Sequence, residues 1–295
     1  MKTIEYLFTD PSFFSVYRPI VAAGIAIALM CSILSPLVVL KRLSFVGQGI
    51  SHAAFGGIGI AAVLSVVGGF TAAAGVLQFP IVLAFCLCCA LLIAWLIERG
   101  ASQADTAIGI VLVASMTLGA LMIQWAYNRP GTVAPQGWEQ LLFGAISTVG
   151  RTDAVIAWMV AVAIGGIVWL CRRPMFFWAF DEAAAPAFGV PAQAMKYLLV
   201  VLLTFAIVTS MKLAGVVLAT ALLVLPGASA LRLSDRLIPV FICSLGAGLI
   251  GVVGGLVMAF ELDQLPPGAC IVSILVVLYV AARLVPRVQS ARERS

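Results

Sequence analysis

The chain has 295 residues, 63% hydrophobic and 10% charged, with a mean hydropathy of +1.16 and a formal net charge of +5. Apolar runs long enough to cross a bilayer core, which takes about 20 helical residues, recur along its whole length. This excludes a mainly soluble protein, and because the runs are continuously apolar rather than alternating it also argues against a β-barrel.

The expected fold class is all-α: a polytopic transmembrane helical bundle of eight to nine spans, forming one domain over 1–295. The first fifteen residues carry Glu5 and Asp10 and no apolar core of signal-peptide length, so they are expected along the membrane interface. Hydropathy then places spans at 18–40, 44–67, 80–97, 107–125, 153–171, 196–211, 213–231, 237–259 and 267–284. The two short spans flanking Lys212 read as a broken or tilted hairpin, which leaves eight full crossings as the alternative count. Pro226 is expected to bend or break its span, because proline removes an intrahelical hydrogen bond. The longest polar connections, 126–152 and 172–195, are too short to hold a core of their own.

Basic residues set the orientation. With the amino terminus outside and the carboxyl terminus in the cytoplasm, twelve Lys and Arg fall inside and five outside, the five being Lys2, Arg18, Arg129, Arg151 and Lys212.

Between Arg42 and Glu98 the chain has no Asp, Glu, Lys or Arg, and inside that stretch lies its only histidine, His52. An ionisable group at membrane depth costs about 2.5 kcal/mol or more, so it persists where it faces a cavity, a partner or a substrate path. Counting from Lys41 and Arg42, His52 sits about 12 to 15 Å into the membrane. Gln48 lies four residues earlier on the same helix face, whereas Ser51 points roughly 100° away. Gln48 and His52 can share a ligand, and the competing reading is an imidazole that donates to a neighbouring carbonyl. Glycines 47, 49, 56, 57 and 59 on this span permit either close helix packing or an open path.

Seven cysteines fall in or at the ends of apolar spans. Cys86, Cys88 and Cys89 sit at i, i+2 and i+3, which do not share one helix face, so a metal cluster is not expected there. Ser51 has no histidine except its immediate neighbour, which argues against an intramembrane hydrolase. A secondary transporter or channel would usually carry acidic residues inside its spans, and the predicted spans hold none in their interiors, Asp153 standing at the very start of one.

The segment from Phe180 to Val190 is expected to form a short cytoplasmic helix, with Asp181 and Glu182 in its first turn and Gly189 at its end. It reads either as a docking knob for a cytosolic partner or as an amphipathic loop. Lys212 reads as a loop or snorkelling charge, or else a gate charge. Glu139, Asp153, Glu261 and Asp263 read as solvated outer loops, or else as an acidic surface for a binding protein or cations.

Taken together, Lys41-Arg42-Leu43-Ser44-Phe45-Val46-Gly47 with Ser51-His52-Ala53, Asp181-Glu182-Ala183 with Phe188-Gly189-Val190, and Lys212 to Leu218 running into Leu222 to Ala230 resemble the membrane subunit of the zinc/manganese/iron class of ATP-binding-cassette importers. The resemblance covers nearly the whole chain and implies a type II-like importer permease in a bacterial cytoplasmic membrane. It implies a partner permease, either a second copy or a paralogue, two cytosolic ATP-binding subunits and an extracytoplasmic metal-binding protein. ATP hydrolysis belongs to a separate subunit, since this chain lacks a Gly-rich phosphate loop with its Lys-Ser/Thr. No permanently bound cofactor and no nucleic-acid partner are implied; the transported species is a divalent metal, Zn, Mn or Fe.

On the same pattern the span at 44–67 lines the pathway, with His52 and Gln48 as metal residues. Asp181, Glu182, Ala183, Phe188, Gly189 and Val190 belong to the coupling segment, within about 172–195. The family usually has Asp where this chain has Gln48. An amide coordinates a hard dication poorly, and imidazole suits Zn²⁺ or Fe²⁺ better than Mn²⁺. The ion then passes weakly bound, a paralogous partner supplies the carboxylate, or the cargo is a metal chelate such as a siderophore, haem or cobalamin.

Overall fold

The computed structural model describes residues 11–68, 74–99, 104–129, 149–262 and 265–284. Its helices are α1 (Pro11–Leu40), α2 (Ser44–Val67), α3 (Ala74–Glu98), α4 (Ala104–Tyr127), α5 (Arg151–Leu170), α6 (Arg172–Phe180), α7 (Ala192–Leu233), α8 (Leu237–Glu261) and α9 (Pro267–Leu284), with a 3₁₀ turn over Ala185–Phe188 before α7. There is no strand among the described residues. Eight of these helices are long and apolar enough to cross a membrane. The chain is a multi-pass helical membrane protein. Glu5, Asp10, Glu139 and Asp263 lie outside the described residues.

At 42 residues α7 is about 63 Å long if straight, roughly twice a bilayer core. It is not straight. Gly215 has φ 84° and ψ 166°, a conformation open to glycine and strained for any residue with a Cβ. Two contacts show how sharply the chain bends there. Cys31 Sγ lies 3.3 Å from Ser210 Oγ, and one turn along α1 the Gly227 amide donates to Ser35 Oγ at 2.7 Å. In an unbroken helix Ser210 and Gly227 would stand about 26 Å apart, whereas their partners on α1 are about 6 Å apart. The two arms, 192–214 and 216–233, therefore fold back on one another, as the expected hairpin requires.

The break falls at Gly215, not at Lys212, which sits inside the first arm. Pro226 does not break the second arm, since Gly215 is the sole non-helical residue in α7. Proline leaves one carbonyl without its usual amide, but the helix around Pro226 is held by the α1 contact at Gly227 and by Ser229, whose hydroxyl donates to Leu225 O at 2.8 Å.

α7 is the organising element: it packs on α1, α2, α3, α5, α8 and α9. Around it α2, α3 and α4 form one group, and α1, α5, α8 and α9 another. Gly248 lies over Ser32 and Gly255 over the Ile271 backbone, so α1, α8 and α9 approach closely. Without a water-driven hydrophobic effect between helices inside lipid, such small-residue contacts supply the dispersion energy that holds them. Tryptophans mark helix ends: Trp95 under Arg99 at 4.5 Å, Trp125 under Arg129 at 4.9 Å and Trp169 under Arg172 at 4.6 Å. Amphipathic rings capped by arginine suit the level of the lipid headgroups.

The bundle has two distinct ends. At one, Lys41 meets Glu182, and Glu98 accepts hydrogen bonds from Gln193 and from Tyr197, the latter at 2.6 Å. At the other, Tyr17 packs edge-on against Phe260 and Lys212 pairs with Asp153 at 2.8 Å.

Candidate functional site

The sequence pattern of α2 sorts its residues by burial. Val46, Gly47, Gly49, Ile50, Ser51 and the run Ala53 to Gly59 are buried, while Phe45 is 61% exposed, Gln48 is exposed and His52 half-exposed. Phe45, Gln48 and His52 recur at helical spacing, so α2 turns one polar-centred edge out of an otherwise packed helix. Gln48 and His52 share this edge. Ser51 faces inward, where its hydroxyl donates to Gln48 O at 2.9 Å.

His52 Nδ1 is shielded yet has no hydrogen-bond partner among the described residues. Its ring stacks parallel on Phe55, with centroids 6.2 Å apart. The competing expectation of an imidazole donating to a neighbouring carbonyl therefore has no partner atom here. A buried unpaired nitrogen costs about 1 to 3 kcal/mol. The donor set offered by one chain is a single imidazole and an amide. No group of three His, Cys, Asp or Glu able to hold a metal occurs among the described residues.

The α2 glycines serve packing. A Cβ on Gly56 would meet the Phe85 ring at 2.4 Å, one on Gly57 the Val82 backbone at 2.8 Å, and one on Gly59 the Gly119 backbone at 2.9 Å. They bring α3 and α4 against the back of α2 and so aim its opposite edge outward. Cys86 is also part of this packing, its thiol directed at Ile50 O at 3.7 Å, whereas Cys88 points outward.

The 180–190 segment differs from the expected single short helix. α6 runs to Phe180, Asp181 and Glu182 follow it, and the helix that ends at Gly189 is a four-residue 3₁₀ turn. Asp181 and Glu182 thus precede this turn. Asp181 instead accepts the amide of Ala184 at 2.9 Å, capping the bend that follows α6, and Pro186 then limits the helix to one tight turn. Gly189 adopts φ 75°, with its amide on Pro186 O and the Val190 amide on Ala185 O. That is a Schellman pair, and it needs the left-handed residue glycine supplies.

This segment presents aromatic surface in which Phe188, expected from the sequence, is joined by Phe177 and Phe180. Phe188 is 73% exposed and Phe180 55%, and Phe177 packs edge-on against Phe188 at 5.2 Å. Lys41 was missed as a partner of Glu182. A lone lysine at a helix junction carries no pairing signal across 141 residues of sequence. Asp153, expected on an acidic outer surface, is engaged structurally: one oxygen meets Lys212 at 2.8 Å, the other the Gly150 amide at 3.3 Å.

The ABC 3 transport family model matches residues 14–285. The manganese transport system membrane protein MntC of Halalkalibacterium halodurans is 29% identical over 283 residues, covering 96% of this chain and 91% of that protein. The chelated iron transport system membrane protein YfeD of Yersinia pestis is 26% identical, covering 100% and 93%. Among solved structures, PsaBC from Streptococcus pneumoniae in complex with Fab superposes with a TM-score of 0.79 at 25% identity, covering 100% of this chain and 99% of that one.

Proposed function

The chain belongs to the ABC 3 transport family, and from that premise we propose that it is the membrane permease of an ATP-driven importer for a divalent transition-metal ion. It is a transport subunit, and ATP is hydrolysed on a separate subunit. The observation that carries the reading is the outward edge of α2, where a half-buried imidazole with an unpartnered Nδ1 and an exposed amide interrupt an apolar helix at membrane depth.

One chain supplies too few donors for a metal, so the edge works when it faces a second permease, either another copy or a paralogue. Two imidazoles and two amides, completed by water, bind a dication weakly enough to let it leave. The names of the relatives, one a manganese and the other a chelated-iron system, support a first-row metal as cargo. Gln48 in place of a carboxylate lowers the negative charge of the pathway and shifts preference toward metals that accept nitrogen, Zn²⁺ and Fe²⁺ over Mn²⁺. The same neutral residue favours a metal chelate as the second reading.

The 172–195 segment is the coupling element. Its exposed Phe180 and Phe188, close to the acidic Asp181 and Glu182, form an apolar knob with a polar rim suited to a cleft on each of two cytosolic ATP-binding subunits. The end of the bundle bearing this segment also carries nine of the thirteen described Lys and Arg, which supports its placement in the cytoplasm. The amino terminus then lies outside a bacterial inner membrane and the carboxyl terminus inside. The opposite end receives cargo from an extracytoplasmic binding protein.

The test is metal uptake and metal-stimulated ATP hydrolysis by the reconstituted permease, ATPase and binding protein, with Zn²⁺, Mn²⁺ and Fe²⁺ compared in wild type and His52→Ala. Stimulation by one metal, lost with His52 while the complex stays assembled, is the expected result. Indifference of the wild type to every free ion would turn the reading to a chelate, and full uptake by His52→Ala would remove His52 from the path.

A further inference from the structure

The coupling element and the pathway helix are far apart in sequence, but one side chain joins them. Lys41 Nζ contacts Glu182 Oε2 at 2.9 Å and also lies 4.2 Å from the centroid of Trp178 on α6. Trp178 is 1% exposed, and the Lys41 side chain is only 11% exposed, so the ammonium is clamped between a fixed ring and a carboxylate at the start of the coupling turn. Such a charge is far more constrained than an ordinary surface lysine.

The other end of Lys41 is equally rigid. α1 ends in a Schellman pair, with the Arg42 amide on Val39 O at 3.2 Å and the Leu43 amide on Val38 O at 2.9 Å, and Arg42 itself takes φ 56°. A non-glycine residue held in the left-handed region is strained, and such strain persists where surrounding structure fixes it. α2 starts at Ser44, directly after this turn, with the Val46 amide on Leu43 O. No slack separates Lys41 from the helix that carries Gln48 and His52.

Resting on the permease reading above, we propose that Lys41 is the positioning residue that transmits movement of the coupling segment to α2, acting as a strut between Glu182 with Trp178 and the α1–α2 turn. When the ATPase shifts the coupling turn, the clamped lysine carries the start of α2 with it and reorients the Gln48/His52 edge. The covalent route through Val190 into α7 is not sufficient alone, because α7 starts beside Glu98 and reaches α2 only through lateral packing.

The experiment uses the complete reconstituted transporter, measuring metal taken up and ATP hydrolysed in the same vesicles, for wild type, Lys41→Gln, Lys41→Arg and Glu182→Lys. Metal moved per ATP is expected to fall about fivefold or more in Lys41→Gln and Glu182→Lys, and to recover in Lys41→Arg, which keeps a cation against both the carboxylate and the ring. An unchanged ratio in Lys41→Gln or Glu182→Lys, or a Lys41→Arg protein no better than Lys41→Gln, would overturn the strut. A second readout is independent of cargo: thiol labelling of Gln48→Cys above the parent background, with and without ATP. Its rate is expected to respond to ATP with Lys41 present and to lose that response with Lys41→Gln. A response that survives Lys41→Gln would sink the proposal even if no metal tried proves to be the substrate.

Discussion

Ser35 and Gly227 meet where α1 and the second arm of α7 approach closely, the Gly227 amide donating to Ser35 Oγ at 2.7 Å. A Cβ at position 227 would stand 2.5 Å from the Ser35 carbonyl carbon and 2.6 Å from its oxygen, which is backbone that cannot rotate away. Gly227→Ala should therefore lower the stability of the detergent-solubilised permease by about 1 to 3 kcal/mol, the range for overpacking, while Ser35→Ala should cost about 1 kcal/mol for one hydrogen bond. Thermal unfolding of the purified protein measures both, and equal stability of Gly227→Ala and wild type would contradict this packing.

Gly215 sets the fold-back of α7. Because its φ of 84° and ψ of 166° suit glycine alone, Gly215→Ala should cost about 1 to 3 kcal/mol in strain and loosen the hairpin that brings Ser210 and Gly227 to α1. Proteolysis in the assembled complex reports it: faster cleavage near residue 215 is the expected outcome, and unchanged resistance would argue that the backbone there is ordinary.

Behind the Gln48/His52 edge, Gly119 of α4 lies so close to α2 that a Cβ would sit 2.4 Å from Phe55 O, and Phe55 is the ring on which His52 stacks. Gly119→Ala should displace Phe55 and with it His52, reducing metal uptake about tenfold, since small misplacements of a ligand are costly. Transport at the wild-type rate by a folded Gly119→Ala protein would show that His52 is not held from behind.

Lys212 and Asp153 form a pair whose side chains are 47% and 25% exposed, so its contribution should be modest, about 0.2 to 1 kcal/mol, and weaker in high salt. A double-mutant cycle on unfolding checks that range. Uptake abolished by Lys212→Met in a stably folded protein would instead make this lysine a gate charge.

Phe188 is 73% exposed at the end of the Ala185–Phe188 turn proposed to dock the ATPase. Phe188→Ser should weaken ATPase association by about tenfold or more, as for an aromatic anchor seated in a cleft. Co-purification and binding of the solubilised permease to its ATPase provide the measurement; unaltered affinity would move the contact to Phe180 or to another segment.

Much of this was legible in the residues. The apolar runs and the charge asymmetry identified the spans, because bilayer thickness leaves few alternatives. The break in the sixth-to-seventh expected span was foreseen near Lys212, three residues from its actual site, since a charge in an apolar run is easier to see than the backbone conformation of Gly215. The glycines of α2 can be read as packing or as a path, and only the neighbouring helices decide between them: the missing Cβ of Gly56 faces a ring, those of Gly57 and Gly59 face backbone, and that of Gly49 faces the Ile108 side chain. The sequence predicts a short helix with Asp181 and Glu182 in its first turn, whereas Pro186 and the Asp181 carboxylate on the Ala184 amide favour a tight 3₁₀ turn confined to Ala185–Phe188.

By itself, the sequence determined the class, the spans, the lone imidazole at membrane depth and the placement of Gln48 one turn earlier on the same helix edge, all of which follow from local chemistry and helical periodicity. The tertiary structure decided which edge of α2 faces outward, where α7 folds back, and that Lys41 clamps onto Glu182 and Trp178. These are contacts between segments far apart in the chain, fixed by packing of many weak dispersion contacts against one another. No single residue carries a local signal of them.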